Sequence, residues 1–183
     1  MGVKSSGTQP GYLAILNTPF DSISEPMSTQ DQRHLTAAQG YIELGMFLDA
    51  DAEVEDIAPE NRHDPEVLEV RVKIFLGLQK WDQMRCVSRV LAECDPDNPQ
   101  WSVSWAYATR RSDSIEAARR ILLEAVERIP SAAVLHYNLA CYECQLGDVE
   151  VAKARLKHAF NLEPRYRQKA LEDEDLKALW DSL

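Results

Sequence analysis

Cys141 and Cys144, spaced as C-x-x-C, are the residues of this chain best placed to do chemistry. On a helix the two positions lie about one turn apart, so both sulfurs could reach one ligand. A structural zinc site needs about four such ligands, and a catalytic one about three plus water. No second cysteine pair accompanies them, and His136, five residues before Cys141, falls off their face. A redox pair of this spacing wants its first thiol at a helix N-terminus, which lowers its pKa. Here the pair falls in mid-helix. Cysteine is also a small residue suited to a tight helix seam, and Cys141 and Cys144 read first as packing residues. An enzyme or metal-binding protein built on them is kept as an alternative.

Other reactive types are present without a constellation. His34, His63, His136 and His158 are scattered over different helices and loops, and each reads as a solvated or singly bonded surface residue. The run Glu172-Asp173-Glu174-Asp175 reads as helix-start and solubility residues facing water. The chain has no Gly-rich phosphate loop, no His-Glu-x-x-His and no nucleophile elbow. The tryptophans Trp81, Trp101, Trp105 and Trp180 fit helix seams better than a cofactor box. The expectation is no catalytic residue, no cofactor and no metal site.

Composition narrows the partners. The 183 residues are 45% hydrophobic and carry a net charge of −10, which opposes the basic stripe that phosphate binding requires. No nucleic-acid partner is expected. No run of 18 apolar residues offers a membrane span, and no signal-type apolar region opens the chain. Cys86, Cys94, Cys141 and Cys144 are then expected as reduced thiols in a cytoplasmic protein. The charge is uneven: residues 31–64 hold nine acids against two Lys or Arg, and residues 99–132 four against five. Such a gradient can orient a charged partner, although a solvated outer helix face kept soluble by charge explains it better.

The elements that must position these residues are set by a period of 34. Pro96, Pro130 and Pro164 recur at that interval, as do Ala38, Val72, Ala106 and Ala140, and Ala50, Met84, Ala118 and Ala152. Gly45 and Gly147 stand three periods apart. Repetition on this scale marks units that bury their apolar faces by stacking on neighbours. Helical spacing predicts helices over 32–44, 48–58, 65–77, 81–94, 99–111, 115–128, 133–145 and 149–162. The short links between them force antiparallel pairs. Alanines mark where paired helices approach closely. Leu44, Leu78, Leu122, Leu139, Leu146 and Leu156 fill the seams between them.

These residues resemble the tetratricopeptide repeat (TPR) family over about 31–166. The segment "AVLHYNLACYECQLGDVEVAKARLKHAFNLEPRY" matches best, with Leu139-Ala140, Leu146-Gly147, Ala152, Leu156, Ala159 and Pro164. The first repeat departs at its end: Arg62 stands where proline is expected and Pro59 comes three residues early, so its second helix should be short. The resemblance implies an all-α, right-handed α-α superhelix of four helix-turn-helix repeats (31–64, 65–98, 99–132 and 133–166). Residues 167–183 form a C-terminal capping helix in this reading, with Leu171, Leu176, Leu179 and Trp180 on the open end of the last repeat.

The same resemblance implies that the second, fifth, ninth and twelfth positions of each repeat face a concave groove. Carried onto this chain, they give groove candidates at Glu69, Lys73, Val103, Tyr107, Arg110, Tyr137, Cys141 and Cys144. Two tyrosines, a basic strip of Lys73 and Arg110, and aliphatic patches could hold a peptide with apolar anchors and an acidic residue. Some members of the family clamp a C-terminal carboxylate with two Lys or Arg and two Asn. Only Lys73 and Asn138 are of the right type here, so that mode is not expected.

The function this implies is a non-catalytic protein–protein interaction scaffold with a protein or peptide in its groove. A structural or self-assembly module without a groove ligand is the alternative. Residues 1–30 are rich in Gly, Pro and Ser and are expected to form an irregular arm. The arm carries an apolar segment, Tyr12–Phe20, which could dock on the first repeat, enter a groove or mediate self-association.

Overall fold

The computed structural model describes residues 27–182, and among them every regular element is a helix. The arm segment Tyr12–Phe20 lies outside the described residues. Helices α1 (Thr29–Glu43) and α2 (Phe47–Glu55) pack together, as do α3 (Pro65–Gly77) and α4 (Trp81–Cys94). So do α5 (Pro99–Ser112) and α6 (Ile115–Arg128), and α7 (Ala133–Gln145) and α8 (Val149–Leu162). Successive pairs touch through α2–α3, α4–α5 and α6–α7, and the first helices of adjacent pairs meet as α1–α3 and α5–α7. This is the contact pattern of a helical solenoid.

Local chemistry starts and stops these helices where they must turn. Ser28, Asp64, Asn98 and Ser114 each accept a hydrogen bond from a backbone N–H in the first turn, satisfying donors a helix start leaves open. Pro65 and Pro99 occupy first helical positions, where no donor is lost. The turns after α1, α3 and α7 reverse through a left-handed residue at the same phase of the repeat: Gly45 (φ 72°), Gln79 (φ 55°) and Gly147 (φ 87°). Asp113 holds that phase after α5 with φ −136°, and α5 runs one residue further than its spacing predicts.

The first pair ends early. Helix α2 stops at Glu55 and is followed by a 3₁₀ turn, Pro59–Asn61. Arg62 stands at the phase that proline holds in the other repeats: its Nε donates to the Ile57 carbonyl at 2.7 Å, and its guanidinium also meets the Glu55 carbonyl and carboxylate. Asp31 ties this turn to the start of α1, accepting from the Ala58 N–H at 3.0 Å and the Asn61 amide at 2.8 Å. Those bonds hold its carboxyl below the usual range.

Two apolar clusters form the core. One spans α1 to α4 and takes in Ala108; the other runs from α5 through the C-terminal segment and takes in Ala106. Helix α5 therefore belongs to both. Ala38, Ala50, Ala106, Ala118, Ala140 and Ala152 are fully buried where three of the helix pairs approach closely, and the α3–α4 pair buries Val72 and Met84 at the same phases. Beyond α8 the chain makes a five-residue helix, α9 (Tyr166–Ala170), and a 3₁₀ segment, Glu174–Ser182, rather than one capping helix. Leu176 and Leu179 are fully buried there, and Leu171 is left exposed.

Candidate functional site

The groove candidates fall into two halves with different occupancy. In the first half, Glu69 and Lys73 lie one turn apart on α3 and pair at 2.8 Å, both substantially exposed. Tyr107 on α5 is 37% exposed, and its ring meets the edge of Trp81 at 5.8 Å between centroids. Leu76 is 44% exposed. Between α3 and α5 lies a depression of about 350 Å³ lined by Glu69, Lys73, Leu76, Gln100, Trp101 and Ser104 among others. Val103 is half-buried and packs against the C-terminal core instead.

In the second half the chain's own C-terminal segment lies against the predicted positions. Tyr137 is 1% exposed, its hydroxyl donates to Asp173 at 2.7 Å, and its ring stacks on Tyr166 at 4.6 Å. The Cys141 thiol approaches the same Asp173 oxygen at 3.7 Å. Arg110 grips Asp175 with both guanidinium nitrogens, one at 2.8 Å, and lies 5.4 Å from the centre of the Tyr142 ring. The Gln145 amide donates to the Asp175 carbonyl at 2.9 Å. Lys169 sits 4.8 Å from the centre of the Tyr137 ring. The segment is braced internally: the Asp175 N–H donates to the Asp173 carboxylate, and the Trp180 indole to the Ala170 carbonyl.

These placements correct the reading of the tail. Its acids were expected to face water, yet Asp173 and Asp175 point into the molecule because Tyr137, Cys141 and Arg110 supply the donors that a half-buried carboxylate needs. His136 also departs from its expected surface role. It is buried beneath the α7 start, with Nε2 donating to the Pro130 carbonyl at 2.8 Å and its ring 4.2 Å from that of His158. His34 pairs with Glu53 at 2.7 Å, and His63 is exposed.

Burial sets the electrostatics of this half. Burial first, and then the Asp173 carboxylate, push the Tyr137 hydroxyl and the Cys141 thiol far above their ordinary values. Burial, then Asp175, likewise raises Cys144. Nucleophilic or metal-binding cysteine needs the thiolate, which this setting disfavours. All four cysteines are free, with Cys86 and Cys94 exposed. Cys141, Asp173 and Asp175 bring three donor atoms within 4.8 Å of one another. Asp175 is already neutralised by Arg110 and Asp173 bonded by Tyr137, so a cation would have to displace both partners.

The contacts of Asp173, Asp175 and Gln145 were not legible in the sequence. The spacing of Leu176 and Leu179 marked the segment as amphipathic, but no local pattern links Asp175 to Arg110, 65 residues earlier.

With the architecture in view, likeness to solved structures is clear. The MamA RS-1 ArsTM double mutant superposes with a TM-score of 0.65 at 12% identity, covering 74% of this chain and 76% of that one. MamA MSR-1 C2 gives a TM-score of 0.62 at 20% identity, covering 74% and 78%. The class is thus an all-helical, TPR-like repeat fold, and the likeness at this identity is one of fold. No protein-family model matches the chain, and no curated protein matches it. No helix among the described residues is long and apolar enough to cross a membrane.

Proposed function

We propose that the chain is a non-catalytic protein-interaction scaffold whose four TPR-like units, 31–64, 65–98, 99–132 and 133–166, form a right-handed array around a ligand groove. The observation that carries this reading is the open half of the candidate surface. Leu76 presents apolar area to solvent beside Lys73 at a depression of about 350 Å³, and Tyr107 on α5 is exposed against Trp81. Aromatic and aliphatic anchors with a solvent-accessible charge are what a peptide site needs. The partner is a protein or peptide segment with an apolar anchor and an acid to meet Lys73. The protonated state imposed on Tyr137 and Cys141 agrees with binding in place of nucleophilic chemistry.

The test is a Lys73→Glu, Leu76→Asp, Tyr107→Ala variant, whose three positions are exposed. Affinity capture with the wild-type chain and with this variant, followed by mass spectrometry, should show partners that the variant loses at an unchanged melting temperature. Partners retained in full would remove the open half from the site. A stoichiometric self-complex with no other partner would favour a self-assembly module.

A further inference from the structure

The C-terminal segment does not lie on the array as an ordinary cap. A cap needs an apolar face toward the last helix pair and a polar face toward water. Leu179 and Leu176 meet the first requirement, being fully buried. Asp173 and Asp175 break the second, since Asp173 reaches back to Tyr137 and Cys141 of α7 and Asp175 to Arg110 of α5. Three of the predicted groove positions are thus engaged by two carboxylates that sit two residues apart.

The backbone of the segment points the same way. Glu174–Ser182 is 3₁₀ throughout, and 3₁₀ runs beyond three or four residues are uncommon because their hydrogen bonds are poor. Its conformation follows from the surface that receives it. It joins α9 through Leu171 and Glu172, both exposed, so the connection carries few contacts that would have to break for the segment to leave.

We propose that residues Asp173–Leu179 are an intramolecular ligand, and that the α5–α7 half of the groove binds in its place an acidic, leucine-bearing peptide of the pattern Asp-x-Asp-Leu-x-x-Leu supplied by a partner. Arg110 reads the second carboxylate in a two-point grip, and Tyr137 with Cys141 reads the first. Gln145 reads the backbone between the acid and the leucine. The proposal rests on the interaction reading above and adds the chemistry of the partner. A tethered segment competes at an effective concentration near the millimolar range, so an intact tail lowers the apparent affinity for the incoming peptide.

The experiment uses the full-length chain and a fluorescent synthetic peptide of residues 171–182. In an Asp173→Ala, Asp175→Ala chain, fluorescence anisotropy should show binding at least tenfold tighter than to wild type. Adding Arg110→Glu should abolish it. Maleimide labelling of Cys141, located by mass spectrometry, should rise at least tenfold in the double variant and fall again when the peptide is added. Should the double variant lose its cooperative melt, Asp175→Asn alone, which leaves Asp173 and both leucines in place, takes the same two measurements. Equal affinity for wild type and variant, binding that survives Arg110→Glu, or a thiol the peptide fails to protect would each overturn the proposal. If the peptide fails while the Lys73, Leu76 and Tyr107 variant still loses its partners, this assignment falls and the scaffold reading stands.

Discussion

At the scale of single residues, Gln79 and His136 carry tension that can be measured. Gln79 holds φ 55° where Gly45 and Gly147 hold the equivalent turns. A left-handed conformation costs a side-chain-bearing residue about 1–2 kcal/mol, and glycine returns part of that through its freer unfolded chain. Gln79→Gly should therefore stabilise the protein by about 0.5–1 kcal/mol, seen as a higher urea midpoint, while Gly147→Ala should move it the other way. His136 is held below its ordinary pKa of 6.5 by burial, and then by His158 and Arg155, against the opposing pull of its bond to Pro130. The folded chain resists the proton that the unfolded chain accepts. This contribution is complete above 6.5 and is lost as the pH falls through the depressed folded value. Melting temperature should drop on acidification from about pH 7 to about pH 5, and His136→Gln, which keeps a donor for the Pro130 carbonyl, should flatten that drop.

At the scale of elements, three of the four pairs pack through alanines at fixed phases, and α3 and α4 hold Val72 and Met84 there. Ala140 is fully buried in the C-terminal core. Ala140→Leu should cost about 1–3 kcal/mol by overpacking, whereas Ala154→Leu on the exposed side of α8 should change little. Thermal melts of the two variants decide this. The same alanines made the helices legible, because a period of 34 with small residues at fixed phases reports contacts between neighbours in sequence. The bounds of α3, α4, α6, α7 and α8 follow from it directly. Gln79 was not legible as a strained turn, since its side chain says nothing of φ. The tail was legible only in its leucines. Its acids answer to Arg110, 65 residues away, and charge pairing at that distance leaves no periodic mark. Half the candidate site was therefore readable as a list of positions, but its occupant was not.

At the scale of the whole molecule, two cores share one helix. The α1–α4 cluster and the α5-to-tail cluster meet through Ala106 and Ala108 on α5. Stability in a repeat array is close to a sum of unit and interface terms, so strict two-state unfolding is not expected. Leu139→Ala, which empties a fully buried site in the second core, should speed amide hydrogen exchange in α7 and α8 well before it reaches α3. Mass-resolved exchange would show this, and equal acceleration in both cores would refute it. The placement of Asp173 and Asp175 against α5 and α7 has one more consequence, which concerns synthesis. The ribosome makes α7 before it makes the segment that covers it. At about 5–20 residues per second, Asp173 and Asp175 follow Arg110, Tyr137 and Cys141 out of the ribosome after a lag of up to a few seconds. If the α5–α7 surface takes a partner as proposed, timing of encounter, as well as affinity, then decides which ligand it receives.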